Sequence, residues 1–206
     1  DGFYGVGRGN AHVLHKGTAR REGALERLVY RYVRRRRDLI AEAVDAETRT
    51  SALSLAAISR VRANQPTIQS VVMTADGESI HELAQAIEQR LDPAHGVRVV
   101  ALRPDADARR EASLVATSPD IVVSTPSRLI DHIRRDNVSL AGVTTVAVNV
   151  PERDGIEQFS ADLHFIYAKL ERRPATIVLV SDLGREFDLL EDLLRRPTTV
   201  AGTSWA

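Results

Sequence analysis

Pro119-Asp120-Ile121-Val122-Val123-Ser124-Thr125-Pro126-Ser127-Arg128-Leu129-Ile130-Asp131-His132-Ile133 is the stretch that decides the fold. Ile121, Val122 and Val123 form a short continuous apolar run, the pattern of a strand buried on both faces. Thr125 then stands as an N-cap and Pro126 as a first helical residue, both good helix starts. Leu129, Ile130 and Ile133 follow at helical spacing. The chain therefore leaves a buried strand and turns at once into a helix, with Thr125 and Arg128 at the junction. In open α/β sheets that carboxyl edge is where ligands bind.

The same unit recurs on both sides of this stretch. Leu25, Leu28, Val29, Tyr32 and Val33 predict an amphipathic helix over Ala24–Arg36, closed by Arg34, Arg35, Arg36 and Arg37, where cations suit the helix dipole. Strands are predicted over Leu39–Ala41, Gln69–Thr74, Val97–Leu102, Val143–Val148 and Ala175–Val180. Between and after them, helices are predicted over Thr48–Arg60, Glu78–Leu91, Ala106–Ala116, Ser127–Arg135, Phe159–Leu170 and Glu186–Leu194. Repeated strand–helix units imply an α/β domain with a mostly parallel sheet covered on both faces. The expected organisation is a leader with a short helix over 1–22, a core domain over 23–196 and a linker or tail over 197–206.

The chain has 206 residues, 43% of them apolar, enough for one α/β domain with a sizeable core. With no cysteine it has neither disulfides nor a thiolate metal site. No apolar run is long enough to span a membrane and no signal-peptide pattern opens the chain, so a soluble, cytoplasmic protein is expected, or a domain cut from a longer one. Net charge is zero, yet residues 1–40 carry ten Arg and Lys against Asp1, Glu22, Glu26 and Asp38, an asymmetry that points to a basic face. Lys16 and Lys169 are the only lysines.

Thr125-Pro126-Ser127-Arg128 resembles the Thr-Pro-Gly-Arg segment in the first RecA-like domain of the DEAD-box RNA helicases, with Ser127 in place of the glycine. Other motifs of that family fall at matching distances over nearly the whole chain. The resemblance implies a three-layer RecA-like domain of the P-loop NTPase type, with ATP, Mg²⁺ and RNA as the family's ligands. The phosphate loop of the family, Ala-x-Thr-Gly-x-Gly-Lys-Thr, is matched by Ala43-Val44-Asp45-Ala46-Glu47-Thr48-Arg49-Thr50. Only Ala43 and Thr50 agree. Arg49 replaces the lysine, Ala46 and Thr48 replace glycines, and no glycine occurs between Gly23 and Gly77 to rescue a shifted alignment. Asp45 and Glu47 would face a triphosphate with like charge, and a planar guanidinium differs from a compact ammonium.

The glutamine that reads adenine in the family falls on Glu26, a carboxylate that donates no hydrogen bond at neutral pH. Phe3 or Tyr4 stands where the family has a base-stacking aromatic. Asp-Glu-Ala-Asp falls on Asn149-Val150-Pro151-Glu152, so the Mg²⁺ carboxylate becomes an amide and the water-positioning Glu becomes valine. The Ser-Ala-Thr motif keeps only Ser181. The resemblance thus marks Glu26, Arg49, Thr50, Asn149, Glu152 and Ser181 as vestigial nucleotide positions, with no catalytic residue and no bound cofactor or metal expected.

On the RNA-facing side of the family, Pro-Thr-Arg-Glu-Leu-Ala becomes Ala75-Asp76-Gly77-Glu78-Ser79-Ile80 and Gly-Gly becomes about Arg103-Pro104. Thr125, Arg128 and Arg103 are candidate phosphate contacts, and Arg34, Arg35, Arg36 and Arg37 a second basic surface outside the family pattern. His12 and His15 lack a third ligand, and Gly5-Val6-Gly7-Arg8-Gly9 follows no strand. The sequence reading is a degenerate helicase-type domain without ATPase chemistry, an RNA-binding or scaffolding module. RNA, a second RecA-like domain or a protein are its expected partners, and a membrane is not. Two other readings stay open: a working ATP-dependent RNA helicase domain with atypical motifs, and a protein–protein interaction domain.

Overall fold

The computed structural model describes residues 23–150, 155–183, 190 and 192–202. The expected leader with its short helix, Phe3, Tyr4, the glycine-rich start, His12, His15, Glu152, most of the predicted Glu186–Leu194 helix and the last four residues lie outside them.

Among the described residues seven strands form one sheet, all parallel: β1 (Leu39–Glu42), β2 (Ser70–Thr74), β3 (Val99–Leu102), β4 (Ile121–Ser124), β5 (Thr145–Asn149), β6 (Ala175–Val180) and β7 (Thr198–Val200). Their order is β3-β4-β2-β5-β6-β1-β7. Among the described residues, α1 (Ala24–Arg34) precedes β1, and five helices lie between successive strands: α2 (Ala46–Ile58), α3 (Ser79–Arg90), α4 (Ala108–Val115), α5 (Pro126–Arg134) and α6 (Ile156–Tyr167). No helix of the described residues is long and apolar enough to cross a membrane.

Side chains along each strand alternate between two cores, as the period of two demands. Leu39, Ala41, Val72, Ile121, Val123, Ile177 and Leu179 join α1, α2 and α3 on one face. Ile40, Val71, Met73, Val122, Val146, Val148, Val178 and Val180 join α4, α5 and α6 on the other. Ile121, Val122 and Val123 have no exposed surface, so the apolar run read as a doubly covered strand is one. The three-layer α/β architecture is the one the sequence implies, with every pair in the sheet parallel.

Two differences bear on function. β7 falls inside the stretch read as a linker or tail: Leu39, Ile40 and Ala41 pair with Thr198, Thr199 and Val200. Its β-branched residues suit a strand, but only the exposed flank of β1 makes them one. Helix α2 begins at Ala46, two residues before the predicted start, because Asp45 adopts an extended conformation and caps it.

Helix α1 ends in a complete Schellman motif. Arg37 N–H donates to Tyr32 C=O at 3.0 Å and Arg36 N–H to Val33 C=O at 3.1 Å. The left-handed position of that motif, normally glycine, is Arg36 at φ 55°.

Candidate nucleotide cleft and nucleic-acid face

The carboxyl ends of β1 and β5 flank that of β6, so the fold brings Ala43, Asn149 and Ser181 to neighbouring strand ends. This is the edge where a nucleotide would sit. A triphosphate requires backbone N–H groups aimed into an open turn and a cation beside them. Neither is on offer.

Only Ala43, Val44 and Asp45 separate β1 from α2. Ala43 N–H continues the sheet by donating to Val180 C=O at 2.8 Å. The two positions that correspond to loop glycines, Ala46 and Thr48, are the first and third residues of α2. Thr48 N–H, a donor that would meet phosphate, donates to the Asp45 carboxylate at 2.7 Å. The Thr48 hydroxyl and N–H hold the Asp45 carboxyl below its usual range, so it stays anionic at neutral pH. Arg49 turns back on the chain: its Nη1 donates to Ala43 C=O and Val44 C=O, both at 2.6 Å. Thr50 lies half-buried in the following turn and Val44 stands 74% exposed. The turn is closed by its own carboxylate and its own guanidinium, and the residues present do not fit a nucleotide with its Mg²⁺.

The other described positions that align with the family's nucleotide motifs lie on α1 and at the ends of β5 and β6. Glu26 points inward from α1, accepting from the Ser51 hydroxyl on α2, from Arg90 Nη2 on α3 at 2.7 Å and from Gly23 N–H at 2.5 Å. Arg90 also donates to the Ser51 oxygen at 2.6 Å. Ser51 and Arg90 carry no motif, and sequence reasoning missed both. Asn149 ends β5 with its Oδ1 buried and without a hydrogen-bond partner among the described residues. Ser181 is half-buried just beyond β6.

Burial pushes the Glu26 carboxyl up, but the bonds from Ser51, Gly23 N–H and Arg90 outweigh it and leave it below its ordinary value near 4.5. A carboxyl with a lowered folded pKa contributes stability above its unfolded pKa and loses it as pH falls through the folded one. Stability is therefore expected to decline as pH drops below about 4.5, and Glu26→Gln should make that decline shallower. Urea melts at a series of pH values between neutrality and the acid limb measure it.

The nucleic-acid candidates at the carboxyl edge are also occupied. Thr125 caps α5, accepting from Arg128 N–H at 3.3 Å, and is buried. Arg128 turns into the protein: its Nε donates to Glu111 at 2.9 Å and its Nη2 to Ala106 C=O at 2.7 Å. His132 Nε2 lies 2.9 Å from the same Glu111 oxygen. Arg103 forks onto Asp105 at 3.0 and 2.7 Å on the surface. Glu111 went unread in the sequence. The available signal was its spacing, four residues from Val115, since these two are the buried residues of α4.

A pattern unites this edge. Asp45 caps α2 and Asp107 caps α4, while Asp76 accepts from Glu78 N–H at 2.8 Å and Ser79 N–H at 3.3 Å at the start of α3. Three helix N-termini that would attract phosphate are neutralised by aspartates. Arg34, Arg35, Arg36 and Arg37 lie at the opposite edge, where α1 leads into β1.

The family model described as DEAD/DEAH box helicase matches residues 26–181. The ATP-dependent RNA helicase CshA of Limosilactobacillus reuteri is 31% identical over 113 residues, which are 55% of this chain and 22% of that protein. The DEAD-box ATP-dependent RNA helicase CshA of Bacillus subtilis is 22% identical over 142 residues, 69% of this chain and 28% of that one. The chain thus spans 22% and 28% of the length of these two relatives. A DEAD box protein from the hyperthermophile Methanococcus jannaschii superposes with a TM-score of 0.76 at 17% identity, covering 87% of this chain and 49% of that one. The parallel sheet, the motifs spread from Glu26 to Ser181 and the matched span agree: the chain belongs to the DEAD/DEAH box helicase family.

Proposed function

We propose that this domain is a degenerate DEAD-box RecA-like domain that does not hydrolyse ATP and serves as an RNA-binding or scaffolding module in RNA metabolism. The closed turn between β1 and α2 carries this reading. Phosphoryl transfer is mostly positioning and charge stabilisation, supplied by a phosphate loop with its lysine, by metal-bound carboxylates and by a residue that orients water. Asp45 fills the anion's place at Thr48 N–H, and Arg49 is held by two carbonyls of the turn. Asn149 and Val150 align with the family's metal-binding and water-positioning carboxylates, and neither carries a carboxylate.

Calorimetry with Mg²⁺-ATP and Mg²⁺-ADP tests the reading. The expected result is no saturable heat at millimolar nucleotide, a Kd weaker than about 1 mM, or less than about 4 kcal/mol of binding. RNA should release no phosphate from ATP. Turnover that disappears in Arg49→Ala would establish a working helicase domain with atypical motifs instead.

A further inference from the structure

The amino ends of β6, β1 and β7 are neighbours in the sheet, and the turns that lead into them converge on one open cleft of about 370 Å³. Five arginines line it: Arg36 and Arg37 before β1, Arg173 before β6, and Arg195 and Arg196 before β7. All five are exposed. Among the described residues Asp38 is the one acidic residue of the lining, and both its oxygens are taken by backbone, Thr176 N–H at 3.0 Å and Arg195 N–H at 2.7 Å. It ties the strands together and leaves the guanidinium groups around it without a side-chain bond from it.

The basic surface continues past the cleft along the end of α2. The buried Nε of Arg60 has no hydrogen-bond partner among the described residues. Burial first, and then the nearby charges of Arg36, Arg34 and Arg62, pull the Arg60 guanidinium below its usual pKa.

Two of the lining arginines also hold backbone that disfavours them. Arg36 has φ 55° and Arg196 φ 47°, the left-handed region where glycine is at ease. Strained backbone under a functional side chain is a recurrent sign of a site. Here each strained residue projects a cation into the same cleft.

We propose that the amino edge of the sheet, centred on Arg36, Arg37, Arg173, Arg195 and Arg196, binds the phosphodiester backbone of RNA, on the face opposite the family's ligand edge. Cations spread over an open surface, from Arg60 and Arg62 through the cleft to Arg196, match several phosphates in a row better than one small anion. Tyr32, beneath Arg37 at 5.5 Å, is part of α1's packing, so the surface reads backbone and not bases. The opposite edge, capped by Asp45, Asp76 and Asp107, repels the same ligand. The inference rests on the RNA-binding arm of the proposed function and is independent of its ATPase arm.

The test uses the full chain and a fluorescein-labelled single-stranded RNA of about 20 nucleotides, a length that exceeds the site sizes of common single-strand binders. Anisotropy is measured across a salt series. The pair Arg36→Gly and Arg196→Gly removes both cations while relaxing the backbone. It should weaken RNA binding about tenfold and flatten the salt dependence by about 1.4, at roughly 0.7 per lost phosphate contact, with the melting temperature unchanged or raised. Arg109→Ala with Arg110→Ala removes equal charge at the carboxyl edge and should leave affinity nearly unchanged. Equal loss in both pairs would overturn the site and leave RNA binding standing. Absence of salt-dependent RNA binding by the wild type would overturn both the site and the RNA arm of the function. Inorganic phosphate displacing RNA with comparable affinity would show a small-anion pocket and overturn the proposal.

Discussion

Glu111→Ala is expected to cost the domain about 3–5 kcal/mol, the usual penalty for removing one partner of a buried ion pair. Glu111 sits on α4 with 2% of its surface exposed. One oxygen takes Arg128 Nη2 at 2.8 Å and His132 Nε2 at 2.9 Å from α5. The other takes Arg103 N–H at 2.6 Å, just beyond β3. Alanine would strand a largely buried guanidinium and a backbone donor together. Glu111→Gln keeps an acceptor and loses the charge, so its loss should be smaller. Replacing Glu111 and Arg128 together by apolar residues of similar volume should recover much of the single-variant loss, because neither charge is then left alone. Guanidinium melts of the wild type, the two single variants and the double replacement measure these losses. A Glu111→Ala loss below about 1 kcal/mol would contradict the network, since a surface pair costs that little.

Asp38→Ala carries the second largest expected effect. Its carboxylate serves Thr176 N–H and Arg195 N–H, and its backbone C=O accepts from Thr198 N–H at 3.2 Å. Truncation would leave two backbone donors without an acceptor at about 1–3 kcal/mol each, and since the Arg195 donor is only partly buried, a loss of about 2–4 kcal/mol is expected. Asp38→Asn retains one oxygen but turns an NH₂ toward the other donor, so it should fall between alanine and wild type. The same change makes the arginine cleft more positive. Stability should then fall while RNA affinity holds or rises. Both are read on one preparation, by denaturant melting and by anisotropy.

The layered fold was legible because its strands are nearly all apolar and short, bounded by caps and turns that act within a few residues. Ile121–Val123 and Pro126 illustrate the point. What escaped depends on distant neighbours. Thr198–Val200 is too short to announce a strand until β1 offers it a flank. The apolar pattern of Leu53, Leu55, Ala56 and Ile58 marks the body of α2 and leaves its start open, which the Asp45 cap fixes at Ala46. At the site, Arg128 read as a phosphate contact from its motif, and only the fold shows Glu111 in front of it. Arg34–Arg37 stood out as a run of charge. Arg173, Arg195 and Arg196 join them only once the strand order is known.

The pairing of β1 with β6 sets a condition on how the chain is made. Asp38 bonds to Thr176, 138 residues later in the chain. At about 5–20 residues per second a ribosome takes about 7–28 s to cover that distance. Throughout that interval the nascent β1 has neither of its two sheet neighbours, since β6 and β7 are both still to be translated. Its edges are unguarded templates for wrong partners while synthesis continues.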